Sequence, residues 1–86
     1  MSFKIPSHVT WKDLDSGLIL LDLQTSCYYT LNETASSLWR ALMKKKSEQE
    51  ILRSIQDEFD CLESQAKADI REQIEFLLKE GLIANN

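Results

Sequence analysis

Histidine, cysteine, glycine and proline are all scarce in this 86-residue chain, and each scarcity removes a class of explanation. His8 is the only histidine, and Cys27 and Cys61 lie 34 positions apart, so no zinc-ligand spacing exists. A Cys–His nucleophilic pair would have to join His8 to one of these cysteines, and neither carries an orienting signature around it. Two cysteines allow one disulfide at most, which is not a disulfide scaffold; the chain reads as cytoplasmic with reduced thiols. Gly17 and Gly81 are isolated, so there is no glycine loop to cradle a phosphate. Two glycines and one proline also argue against a disordered or loop-rich chain. The start, Met1 to Pro6, has no apolar core of a signal peptide, and no apolar run approaches membrane-spanning length. Basic charge is in short supply as well. Ten Lys and Arg face fourteen Asp and Glu, for a net charge of −4 and a pI of about 4.9. Such a balance gives no electrostatic reason to approach nucleic acid or an anionic membrane. The longest basic run, Lys44-Lys45-Lys46, reads as a solvated loop. No catalytic residue, metal or cofactor is expected.

What is present is a change of period. In residues 8–12 apolar and polar residues alternate. A polar break follows at residues 13–17, where Asp15-Ser16-Gly17 is a hairpin signal. Residues 18–23 are a short apolar run, Gln24-Thr25-Ser26 a second turn, and residues 27–31 a third strand rich in aromatic and β-branched side chains. Two short turns between three strands imply an antiparallel meander. From residue 32 the period becomes helical. Asn32 is an N-cap, with Ala35, Leu38, Trp39, Leu42 and Met43 as one apolar stripe. Ser47 with Glu50 three residues on is a capping box, followed by Ile51, Leu52, Ile55 and Phe59. A third helix begins near Ser64, carries Ala66, Ile70, Ile74, Leu77 and Leu78, and stops at Gly81. Leu82 and Ile83 can tuck beneath that end. The fold class is α+β, a three-stranded antiparallel sheet followed by three helices in one domain (1–86, core about 8–83). The helices bury their stripes on one sheet face. Such a sheet keeps two open edges with unpaired backbone groups.

The acidic side chains Glu63, Asp69, Glu72, Glu75 and Glu80 read as the solvent face of the third helix, and Trp11, Trp39 and Phe59 as core. Tyr28 and Tyr29 are adjacent in a strand and must point to opposite faces, so one of them meets solvent or a partner.

The segment Leu20-Leu21-Asp22-Leu23-Gln24-Thr25-Ser26-Cys27-Tyr28-Tyr29-Thr30-Leu31-Asn32-Glu33-Thr34-Ala35 resembles the PqqD-like family, the peptide-recognition domains of ribosomal-peptide modification pathways. The family pattern runs roughly L-L-D-L-x-T-G-x-Y-Y-x-L-N-x-T, then a small residue, then a helix carrying a tryptophan, here Trp39. Val9 and Trp11 fit the first strand. Asp69-Ile70, Ile74, Leu77 and Gly81-Leu82-Ile83 fit the third helix and its ending. Ser26 and Ala35 stand where glycine is usual. Gln73 stands where an apolar residue, often phenylalanine, is usual, and Phe76 can compensate.

The resemblance implies a winged helix-turn-helix that binds the leader of a precursor peptide as an added strand on the third strand. Leader side chains would drop between that strand and the third helix. Cys27, Tyr29 and Leu31 would share the face toward the helices, with Tyr28 and Thr30 on the other. Ile70, Gln73, Ile74 and Leu77 would form the opposite wall. Lys67 and Arg71 would pair with acidic leader residues at the rim. Free-standing members resemble the leader-binding subunit of lasso-peptide assembly, which works beside a leader peptidase and a cyclase. Others serve the pyrroloquinoline quinone pathway, handing a precursor to a radical SAM enzyme; these tend to carry a P-E-[RK] turn that this chain lacks. Two rivals follow from the same topology. One is a winged-helix DNA-binding domain, disfavoured by four acids against three bases in residues 64–80. The other is a homodimer closed through an open sheet edge.

Overall fold

A computed structural model of the chain describes residues 3–15 and 17–85. Five strands and three helices follow one another: β1 (Phe3–Lys4), β2 (Val9–Leu14), β3 (Gly17–Asp22), β4 (Cys27–Leu31), α1 (Glu33–Met43), α2 (Glu48–Phe59), α3 (Glu63–Lys79) and β5 (Ala84–Asn85). The main sheet has the order β2-β3-β4, antiparallel throughout, so β2 and β4 are its two edges. This is the α+β meander followed by three helices that the periodicity implies.

Strand alternation decides what is buried. Val9, Leu18, Leu20 and Leu31 point toward the helices and lie in the core, with Leu20 opposite Trp11 on one side and Tyr29 on the other. The helices close over them with Leu38, Trp39, Ile51, Ile55, Ala66, Ile70 and Leu77. The first two helix starts are specified locally. The Asn32 side chain accepts the Ala35 N–H at 2.8 Å. Ser47 and Glu50 form the reciprocal box, and those hydrogen bonds hold the Glu50 carboxyl below its usual range. At the end of α3, Gly81 takes φ +72, and the Gly81 and Leu82 N–H groups donate to the Leu78 and Leu77 carbonyls. That left-handed closure turns Leu82 and Ile83 into the core.

Four expectations change. The strand β2 runs through Asp13 to Leu14, past the expected polar break, because Asp13 is held by Arg40 at 2.7 Å and 3.1 Å. Ser16 of the hairpin signal, like Met1 and Ser2, lies outside the described residues. Met43 and Trp11 are not core: they are 41% and 36% exposed at the β2 margin. Helix α3 begins at Glu63, with no side-chain cap at Leu62. A small second sheet pairs β1 with β5, Phe3 opposite Asn85 and Lys4 opposite Ala84.

The turn before β4 carries a testable detail. Buried Asp22 accepts the Gln24 and Thr25 N–H groups, and the Ser26 N–H donates to the Asp22 carbonyl. This forces Ser26 to φ +60, a conformation that favours glycine. Ser26→Gly is expected to raise stability by up to about 1 kcal/mol in urea unfolding, the relief at the turn being partly offset by a freer unfolded chain. A loss of stability would mean that the serine side chain holds the turn.

Candidate functional site: the open edge at β4 beside α3

The strand β4 pairs only with β3 among the described residues, so one row of its backbone donors and acceptors faces away from the sheet. Its side chains divide by alternation. Tyr28 stands on the outer face, 72% exposed, with Thr30 beside it. Cys27, Tyr29 and Leu31 turn to the helix side. Leu31 is buried in the core, Tyr29 is half-buried and Cys27 is exposed.

Across from them stands α3. Residues three and four apart share a helix face, so Asp69, Glu72, Gln73, Phe76 and Glu80 form one stripe. The Phe76 ring meets the Tyr29 ring edge to face, centroids 6.2 Å apart at 72°. That pair joins β4 to α3 while leaving Phe76 40% exposed. Burial pushes the Tyr29 phenol above its ordinary value, and the carboxylates of Glu80 and Asp22 and the Cys27 thiol push the same way. A neutral tyrosine hydroxyl can donate as well as accept.

The other expected wall residues are placed differently. Ile70, Ile74 and Leu77 are buried in the core. Lys67, Ile70, Arg71 and Ile74 line a cleft of about 470 Å³ between α2 and α3, together with Leu52 and Glu63. Lys67 is already paired there with Glu63 at 3.3 Å. Of the residues expected on the α3 wall, Gln73 alone shares the Phe76 stripe, and it is half-buried. Phe76, which the sequence offers as a compensating residue, and Glu80 stand on the β4-facing stripe without being among the expected wall residues. The signal for Phe76 was the phenylalanine displaced by three residues, one helical turn, from its usual place in the family.

His8 and Cys27 each face other partners. His8 Nε2 lies 3.9 Å from Asp22 Oδ2, while the Cys27 Sγ contact is the Thr25 carbonyl at 3.9 Å. Both cysteines are free. No helix among the described residues is long and apolar enough to cross a membrane.

Residues 17–83 match the family model described as coenzyme PQQ synthesis protein D, PqqD. The chain belongs to the PqqD family. Two solved structures resemble this PqqD-family chain over nearly its whole length. TbiB1 in complex with the TbiA(beta) leader peptide is 28% identical, with 96% of each chain covered and a TM-score of 0.88. A lasso peptide synthetase B1 complexed with the leader peptide is 23% identical, covering 98% of this chain and 99% of that one, with a TM-score of 0.90; this second likeness is one of fold. None of the curated proteins matches this PqqD-family member.

Proposed function

We propose that the protein binds the leader segment of a ribosomally made precursor peptide as an additional antiparallel strand on β4, without catalysing a reaction itself, and presents the precursor to modifying enzymes. The observation that carries this reading is the unpaired β4 edge with the Tyr29–Phe76 pair beside it. Edge addition needs free backbone groups for affinity and neighbouring side chains for selection. A 28%-identical relative that holds a leader peptide on the same fold supports it further. The segment Leu21 to Thr25, without a P-E-[RK] turn, favours lasso-peptide assembly, with a leader peptidase and a cyclase as the enzymes served, in the cytoplasm where both thiols stay reduced. The family description favours a second reading, delivery to a radical SAM enzyme in quinone cofactor synthesis.

Within this reading the leader contacts are Cys27, Tyr29 and Phe76, flanked by Gln73, with Tyr28 and Thr30 contributing backbone. The α3 stripe beside them carries Asp69, Glu72 and Glu80, with a single base, Lys79, at its margin. A leader running along it presents basic side chains there, the reverse of acidic leader residues meeting Lys67 and Arg71. A free leader is disordered and gives up conformational entropy on binding, so the affinity is moderate and release to the next enzyme remains possible.

A backbone scan tests strand addition. In an added strand, alternate N–H groups point at β4 and the others at solvent. N-methylation of successive leader residues should weaken binding at every second position by about tenfold, the scale of a lost hydrogen bond plus a steric clash. Fluorescence anisotropy on labelled leader reads this directly. A flat response along the leader would rule out pairing on the edge.

A further inference from the structure

The sheet has a second edge, and its surroundings differ from those of β4. Beside β2 lies a pocket of about 340 Å³ lined by Trp11, Asp13, Leu18, Trp39, Arg40, Met43 and Lys44. Trp11 stands edge to face with Trp39, 5.7 Å between centroids, and keeps a third of its surface in water. Met43, on the same apolar stripe as Trp39, is 41% exposed. The buried Trp39 Nε1–H has no acceptor among the described residues. Two large side chains left open at the mouth of a pocket mark a surface shaped for contact.

Charge narrows what the contact is. The protein carries a net −4, yet around this pocket the acids are Asp13 and Asp15, against Arg40, Lys12 and Lys44 to Lys46. Arg40 is occupied by Asp13, which holds the Asp13 carboxyl below its usual range. Lys12 on β2 and Lys44, Lys45 and Lys46 after α1 make no ion pair among the described residues. A second copy of the chain would bring these lysines against their own counterparts. A leader selected by the acidic α3 stripe would bring further cations. Nucleic acid would place phosphates over an apolar mouth formed by Trp11 and Met43. A protein segment whose apolar residue is flanked by carboxylates satisfies both the pocket and its rim.

We propose that the β2 edge and its pocket receive an extended, acid-flanked apolar segment of a partner protein, added to the sheet on the side opposite the leader. Backbone pairing along β2 would hold the segment, one large aliphatic or aromatic side chain would enter between Trp11 and Met43, and carboxylates would meet the lysines. The two edges belong to different strands with β3 between them, so leader and partner can be held together. The domain is then a bridge that brings a substrate peptide to an enzyme without any contact between their binding surfaces.

Nuclear magnetic resonance of the uniformly nitrogen-15-labelled full chain tests this. Three blocked heptapeptides serve as probes, each with a Val-Leu-Val centre flanked on both sides by two Glu, two Ser or two Lys. The Glu-flanked peptide is expected to shift the Trp11 and Trp39 indole N–H signals and the β2 amides, with a dissociation constant about tenfold below that of the Lys-flanked peptide. Lys44→Glu, a change at an exposed site, should remove that preference, and Met43→Glu should weaken all three peptides. Leader affinity, measured in parallel, should stay within about twofold for both variants, so loss of this proposal and loss of the β4 reading are separable. Equal response to the Lys-flanked peptide, shifts confined to β4, no saturable shift at millimolar peptide, or stronger displacement of the same signals by a random DNA duplex would each overturn it.

Discussion

Tyr29→Ala is expected to weaken leader binding by about thirtyfold or more, while Tyr28→Ala, one residue away, changes it by less than about threefold. Both are tyrosines on the same edge strand and both lose the same atoms. Only alternation separates them. Tyr29 turns toward α3, is half-buried and rests against Phe76, whereas Tyr28 is 72% exposed on the outer face. A side chain already held in place by a neighbouring ring loses little freedom when a guest strand covers it, which is the condition under which an aromatic residue dominates an interface. Phe76→Ala should follow Tyr29→Ala in direction, because it removes the other half of the pair. A double substitution should cost less than the sum of the two, since either change alone already breaks the contact. Tyr29→Phe should retain most of the affinity if packing dominates. Glu80→Lys should weaken a leader with basic flanks and leave one with neutral flanks little affected, the screening of an exposed pair limiting the effect to severalfold. Anisotropy titrations read each constant, and circular dichroism confirms that the variants fold. A larger effect at Tyr28 than at Tyr29 would place the leader on the outer face of the sheet and refute the groove.

Most of the fold could be read in the sequence because its elements carry strong, local signals. The period-two runs, the Asn32 cap, the Ser47–Glu50 box and the Gly81 stop each act over fewer than about five residues, and each appears where its chemistry demands. What the sequence leaves open depends on tertiary placement. The strands β1 and β5 are two residues each, too short for any period, and exist because the ends of the chain meet. Asp13 looked like a turn residue, and only Arg40, twenty-seven positions on, makes it a strand residue. Trp11 and Met43 lie on the apolar stripes that predict burial, but no further element among the described residues lies over the β2 margin to cover them. The site divides in the same way. Which β4 side chains face the helices follows from alternation alone. Which α3 residues face β4 does not, because a helix stripe fixes a face but not the neighbour it meets. Ile70 and Ile74 were natural choices as apolar wall residues. Their burial in the core, and the cleft they line against α2, give the β4-facing position to Phe76.

Gly17→Ala is expected to destabilise the protein by about 3–5 kcal/mol, a large share of the total for a domain of this size, and to abolish leader binding with it. Gly17 opens β3 at φ +144, is buried, and sits where three elements converge. A Cβ there would run into the Leu31 carbonyl oxygen at the end of β4, with Ser36 Oγ of α1 only 3.2 Å away. Neither obstacle can step aside cheaply. The Ser36 hydroxyl donates to the Leu31 carbonyl at 3.2 Å, and the Ser36 Oγ accepts the Leu18 N–H at 2.9 Å, so one buried serine ties β3, β4 and α1 together. Pushing Leu31 outward parts the strand pair at its helix end and breaks both bonds, leaving a buried N–H without an acceptor. The strain of the backbone angle adds to the clash. Gly81→Ala supplies the control. Its φ of +72 also favours glycine, but nothing lies within 4 Å of the added methyl, so the cost should be about 1 kcal/mol. Ser36→Ala should fall between the two, at about 1–3 kcal/mol, through the orphaned Leu18 N–H. Urea unfolding of the three variants gives the order. If Gly17→Ala proved no worse than Gly81→Ala, the β3–β4 pair would have room to shift at its helix end. The edge that is to accept a leader would then be a loose one, held in place by something other than the Gly17–Leu31–Ser36 junction.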